Sequence, residues 1–97
     1  MNDNYDDPKN FKDLSTTQKK ILLNWIDENL EKIKSFNTKH TSYGLKHLFE
    51  KSTNGFYIDN GTFKGAMLEA NYKIQNTNEK NWVFNISNKS ACFKNSK

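Results

Sequence analysis

The chain has 97 residues, of which 34% are hydrophobic, 27% charged and 13% aromatic; that is one small domain, with aromatic residues enough for a core and too few apolar residues for two. No apolar run approaches the ~20 residues that span a bilayer, and the opening Met1-Asn2-Asp3-Asn4-Tyr5-Asp6-Asp7 lacks the basic start and apolar stretch of a signal peptide, so the expectation is a cytoplasmic protein without membrane insertion. The net charge of +4 is uneven: residues 1–31 carry seven acids against four lysines, residues 32–97 eleven lysines against four acids, and a basic body of this kind suits a polyanionic partner.

Residues 1–13 hold the only proline, four aspartates and the isolated apolar residues Tyr5 and Phe11, which predicts a flexible acidic tail. Ser15-Thr16-Thr17-Gln18 fits a capping box. Ile21, Leu22, Trp25, Ile26, Leu30 and Ile33 follow it at helical spacing, so a first helix is expected, ending near Ser35 to Lys39. Thr41 or Ser42 can cap a second helix carrying Leu45, Leu48 and Phe49, stopped by Asn54-Gly55. Phe56-Tyr57-Ile58 reads as a short strand. Asp59 or Asn60 can cap a third helix with Phe63, Ala66, Met67 and Ala70 on one face, and Asn71 suits its left-handed end. The period then changes to two. Tyr72 and Ile74, and Trp82, Phe84 and Ile86, alternate with polar residues on either side of Asn76 to Asn81, which predicts a hairpin with one apolar face. Residues 89–97 carry lysines and no acid and read as a basic tail; internal repeats are absent.

Helix, helix, short strand, helix and two-stranded hairpin is the order of a winged helix-turn-helix, an α+β fold, here expected over residues 14–88 with the hairpin as the wing. In that arrangement the third helix offers Asn60, Thr62 and Lys64 to the major groove. Lys39, Thr41, Ser42, Tyr43 and Lys46 at the start of the second helix form a candidate phosphate clamp. The wing is better furnished than either. Lys73, Gln75, Asn76, Thr77, Asn78, Lys80 and Asn81 combine cations for phosphate with amides that can pair with adenine, while Glu79 argues mildly the other way. All fifteen cations are lysine, none is arginine, and asparagine is as common as lysine; AT-rich codon usage produces the same bias, but the set suits phosphate and adenine better than guanine.

Catalysis is not expected. There is no nucleophile elbow, phosphate loop, HExxH or acid–base constellation. Asp27 and Glu28 diverge by ~100° on a helix. Cys92 is the only cysteine, and His40 and His47 have no companions at metal-ligand spacing, so neither a metal nor a cofactor is expected.

The phrases Thr41-Ser42-Tyr43-Gly44-Leu45-Lys46-His47-Leu48-Phe49, Gly55-Phe56-Tyr57-Ile58, Asn60-Gly61-Thr62-Phe63-Lys64-Gly65-Ala66-Met67 and Asn81-Trp82-Val83-Phe84-Asn85-Ile86-Ser87 resemble small winged-helix proteins of mobile elements in low-GC Gram-positive bacteria, in particular relaxosome accessory proteins of clostridial conjugative plasmids. The resemblance covers roughly residues 15–90. It implies a homodimer that recognises short boxes in double-stranded DNA at an origin of transfer, chiefly through the wing, with relaxosome or coupling proteins as further partners. Two other readings stay open: a phage or plasmid transcription regulator, and a protein-interaction module using the acidic tail or the first helix.

Overall fold

In the computed structural model, which describes residues 4–94, three helices occupy the segments marked by helical spacing. Both halves of the capping box form: Gln18 N donates to Ser15 Oγ at 3.1 Å and Ser15 N to Gln18 Oε1 at 3.0 Å. Helix α1 (Thr16–Asn29) buries Leu22 and Ile26. It stops earlier than expected because Leu30 turns into extended backbone and enters the core, which leaves Ile33 past the helix and 38% exposed.

Helix α2 (Ser42–Glu50) buries Ser42, Leu45, Lys46 and Phe49. Gly55 closes the turn after it, where an added Cβ would collide with the carbonyl oxygen of Phe49. Helix α3 (Asn60–Glu69) is capped by Asp59, whose Oδ1 accepts from Thr62 N at 2.7 Å. It ends with Asn71 at φ 68°, a left-handed conformation that asparagine tolerates better than most residues. The core gathers Leu22, Ile26, Leu45, Phe49, Phe63, Met67, Phe84 and Ile86, all fully buried.

Residues 4–13 do not behave as a free tail. Pro8–Asp13 forms a 3-10 helix that lies along α3, with Phe11 in the core. Gly61 and Gly65 make the seat: a Cβ on Gly61 would run into the backbone of Asp7, and one on Gly65 would strike the carbonyl of Pro8 and lie 2.6 Å from Phe11 Cβ. Gly61 N donates to Tyr5 O at 2.7 Å, and Asn10 Nδ2 to Asp59 Oδ2 at 3.2 Å. The α3 surface that a recognition helix would turn outward is therefore covered, and Asn60 through Met67 are all buried.

The expected winged helix-turn-helix is corrected by the structure. No sheet and no two-stranded wing occur among the described residues; the β-structure is three isolated antiparallel bridges, Lys32↔Ile86, Thr41↔Val83 and Ile74↔Phe84. Phe56-Tyr57-Ile58 forms neither strand nor bridge, and Ile58 N donates instead to Glu50 Oε2. Residues 82–87 run between two neighbours, the 30–42 loop on one side and residues 72–75 on the other. Sandwiched in this way, Phe84, Asn85, Ile86 and Ser87 are all buried, so the period-two pattern does not mark one dry and one wet face. Asn85 also interrupts pairing: its Oδ1 takes Lys73 N at 2.8 Å, and its backbone carbonyl takes Ile33 N at 3.0 Å.

The segment read as a basic tail is partly packed. Ser90, 1% exposed, accepts from Glu31 N through Oγ and donates to Ser87 O. The short helix α4 (Ala91–Lys94) follows it, and Phe93 stacks on His40 with ring centroids 3.9 Å apart. Residues 1–3 and 95–97 of the two expected tails lie outside the described residues.

Candidate nucleic-acid interface

Two buried asparagines organise the most basic part of the surface. Asn85, 6% exposed, donates from Nδ2 to Ile33 O at 2.9 Å while receiving Lys73 N, so one side chain ties the 30–41 loop to residue 73. Asn37, 8% exposed, donates to Asn88 Oδ1 at 2.7 Å and accepts from Lys39 N at 3.0 Å, which ties Lys39 to the turn before Lys89. Satisfied buried amides of this kind fix the backbone they join, because losing either partner strands a polar group away from water.

The segments joined by this frame are rich in exposed lysine. Residues 30–41 and 71–94 carry seven exposed lysines (Lys32, Lys34, Lys39, Lys73, Lys80, Lys89 and Lys94) against two exposed acids, Glu31 and Glu79. None of the seven belongs to a salt bridge among the described residues, where the pairs are Lys46–Glu50 and His47–Glu50. Lys32 places its ammonium 4.9 Å from the Tyr72 ring centroid, and the Tyr72 hydroxyl donates to Leu30 O. Burial, then the charge of Asp27 and the neighbouring Cys92, pushes that phenol up to about 12, so it stays a donor at neutral pH.

The exposed loop between Ile74 and Val83 is ordered without being a wing. Asn76 caps its tip by accepting Asn78 N at Oδ1 and Glu79 N at its carbonyl. Trp82 Nε1 donates to Thr77 O, and Asn60 Nδ2 bonds Lys80 O and Asn81 Oδ1. Lys73, Gln75, Asn76, Thr77, Asn78, Lys80 and Asn81 are all exposed. The Thr41↔Val83 bridge and the pairing of Ser42 with Trp82 set this loop beside the start of α2. Lys39 and Tyr43 are exposed there and Thr41 is half-buried.

The other candidate contacts are spent inside the molecule. Ser42 is fully buried, its Oγ accepting Trp82 N. Lys46, 4% exposed, is held by Glu50 Oε2 at 2.9 Å. Asn60 bonds Asp6 Oδ1 besides the loop, and Thr62 is buried beneath its cap. Lys64, 3% exposed, donates to Asp6 O at 3.1 Å and lies 4.8 Å from the Trp82 ring centroid. Burial lowers its pKa, and the charges of Asp6 and Asp7 partly restore it. The acidic segment thus occupies the α3 groups that the residue pattern offers to DNA.

Lys32, Lys34, Lys89 and Lys94 are absent from the site expected on sequence, as are Asn37 and Asn85. Lys32 and Lys34 fall within the expected first helix and Lys89 and Lys94 in the expected basic tail, and the pairing across residues 82–87 brings the first of these segments beside residues 72–75. His40 is held below its ordinary value by burial and then by Lys39, which suits its neutral stack on Phe93. Burial pushes the Cys92 thiol up to about 11, which keeps it a poor nucleophile. No His, Cys, Asp and Glu group among the described residues could hold a metal ion, and no described helix is long and apolar enough to cross a membrane. Comparison with protein-family models, curated proteins and solved structures finds no match for this chain.

Proposed function

We propose that this chain is a non-enzymatic protein that binds double-stranded DNA through the lysine face built on residues 30–41 and 71–94. The observation that carries this reading is the excess of seven exposed lysines over two acids, with no ion pair among the described residues to neutralise them. Lys32, Lys34, Lys39, Lys73, Lys89 and Lys94 supply phosphate attraction, and the exposed amides and hydroxyl of Gln75, Asn76, Thr77 and Asn78 supply contacts to base edges. The recognition element in this reading is the 75–81 loop, not α3. Two copies acting on repeated boxes, as the resemblance implies, belong to the same proposal, and mass in solution with and without DNA tests that part.

Salt dependence of duplex binding is the direct test, since every phosphate-binding lysine removed takes about one unit from the slope of log affinity against log salt. Lys32→Ala, Lys34→Ala and Lys73→Ala together are expected to flatten the slope by about three units. Lys9→Ala, Lys12→Ala and Lys20→Ala together are expected to leave it nearly unchanged; equal slopes for the two triple variants refute the assignment. Selection from a random duplex pool then separates roles. An enriched box within an origin of transfer supports the relaxosome reading, and a box over a promoter supports a transcription regulator.

A further inference from the structure

Three of the four tyrosines, Tyr5, Tyr43 and Tyr57, are 66%, 51% and 74% exposed, and all three line one cleft of about 460 Å³. Single exposed aromatics need no explanation, but three around one concavity mark a binding surface. The volume lies within the roughly 300–1,000 Å³ of small-ligand sites. Two of the rings are already held: the Lys46 ammonium sits 5.4 Å from the Tyr43 centroid and 5.1 Å from that of Tyr57, and His47 meets Tyr43 edge-on at 4.6 Å. Rings fixed beforehand lose little freedom when a ligand stacks on them.

The hydrogen-bonding groups left over identify the ligand. Of the carboxylates at the cleft, Asp59 accepts from Thr62 N and Asn10 Nδ2, and Asp6 accepts from Asn60 Nδ2 at Oδ1, while Glu50 beside it holds Lys46, His47 and Ile58 N. The three phenols and the Lys80 ammonium make no hydrogen bond among the described residues. An aromatic-walled cleft with phenol and ammonium donors to spare suits a flat, acceptor-rich ring carrying an anion. We propose that the cleft takes an unpaired nucleobase, stacked on Tyr43 or Tyr57 with its phosphate at Lys80. Because Lys80 also belongs to the 75–81 loop, a single strand leaving a bound duplex can reach the cleft, so this inference rests on the DNA reading above.

The test titrates the full chain with a short single-stranded oligothymidine, with a duplex of equal length, and with a proline-rich peptide. Stacking on an aromatic ring contributes enough that Tyr43→Ala or Tyr57→Ala should weaken single-strand binding about five- to 150-fold, and Tyr57→Ala should do so while duplex affinity holds. Tyr43→Phe and Tyr57→Phe should keep most of it. On the unaltered chain, amide shifts at Tyr43, Lys46, Tyr57 and Lys80 with the oligothymidine are expected, which gives a readout independent of variant folding. Single-strand binding indifferent to both alanine variants, no shifts at those residues, or binding of the peptide in place of the oligothymidine each overturns the proposal. Loss of duplex binding alone, with single-strand binding intact, sinks the lysine-face reading and leaves the cleft standing.

Discussion

Replacing Gly65 by alanine separates helix propensity from the seating of residues 4–13. In an exposed helix interior the change stabilises by up to ~1 kcal/mol. In this chain the new Cβ would strike the carbonyl of Pro8 and lie 2.6 Å from Phe11 Cβ, against about 3.4 Å for ordinary contact. The obstacle is backbone pinned by buried Phe11 and by the bonds from Gly61 to Tyr5 and from Lys64 to Asp6, so it cannot yield as a flexible side chain would. Overpacking costs ~1–3 kcal/mol, and backbone as the obstacle points to the upper end. Subtracting the propensity gain leaves a net loss of ~2 kcal/mol, which in a domain of this size lowers Tm by roughly 10 °C. Urea and thermal unfolding measure the loss, and amide exchange at Gly61 reports whether the segment has lifted. Gly44→Ala is the internal control: that glycine is on α2 with open space around its Cβ position, so a few tenths to about 1 kcal/mol of stabilisation is expected. A Gly65→Ala protein as stable as the parent, with Gly61 still protected, would refute the packing of residues 4–13 against α3.

Asn85→Ala should destabilise by about 2–6 kcal/mol, since it orphans both Lys73 N and Ile33 O at ~1–3 kcal/mol each, and it should weaken duplex binding as well; urea midpoints and binding isotherms check both. Glu50 tests the acid limb. Burial pushes its carboxyl up, but the Ile58 amide, Lys46 and His47 outweigh that and hold it below 4.5. A lowered folded value means the carboxylate stabilises the fold above pH 4.5 and that this contribution disappears as pH falls through the folded pKa. Glu50→Gln should therefore flatten the fall of Tm below pH 4.5, and at neutral pH it should cost about 3–5 kcal/mol because Lys46 is left buried without its partner. An unchanged acid limb in that variant would remove Glu50 from the account.

The parts of the candidate site differ in how far the amino-acid order alone reveals them. The polar loop 75–81 is legible because a run of seven polar residues between apolar segments has to stay wet. The Lys46–Glu50 pair is open to the i, i+4 rule, which by itself gives Lys46 a partner on its own helix in place of a phosphate. The lysine face is not legible, since the segments of Lys32, Lys34, Lys73 and Lys89 are joined by the backbone pairing of residues 82–87 and by the Asn37 and Asn85 side chains, and neither long-range pairing nor a buried asparagine carries a periodic signature.

The three helices, the starts of α1 and α3 and the end of α3 were determined by the sequence itself. Ser15 with Gln18, Asp59 with Thr62 N, and Asn71 at φ 68° are local events, decided within a few residues by capping chemistry and helical spacing. The wing and the tails were decided by the tertiary structure alone. A period of two shows that a segment is extended, but not whether one neighbour or two will cover it, and with the 30–42 loop on one side and residues 72–75 on the other, residues 82–87 became a buried spine. Residues 4–13 look like tail because Tyr5 and Phe11 are their only aromatics. They fold because Gly61 and Gly65, fifty residues along, leave α3 bare enough for a backbone to lie on it.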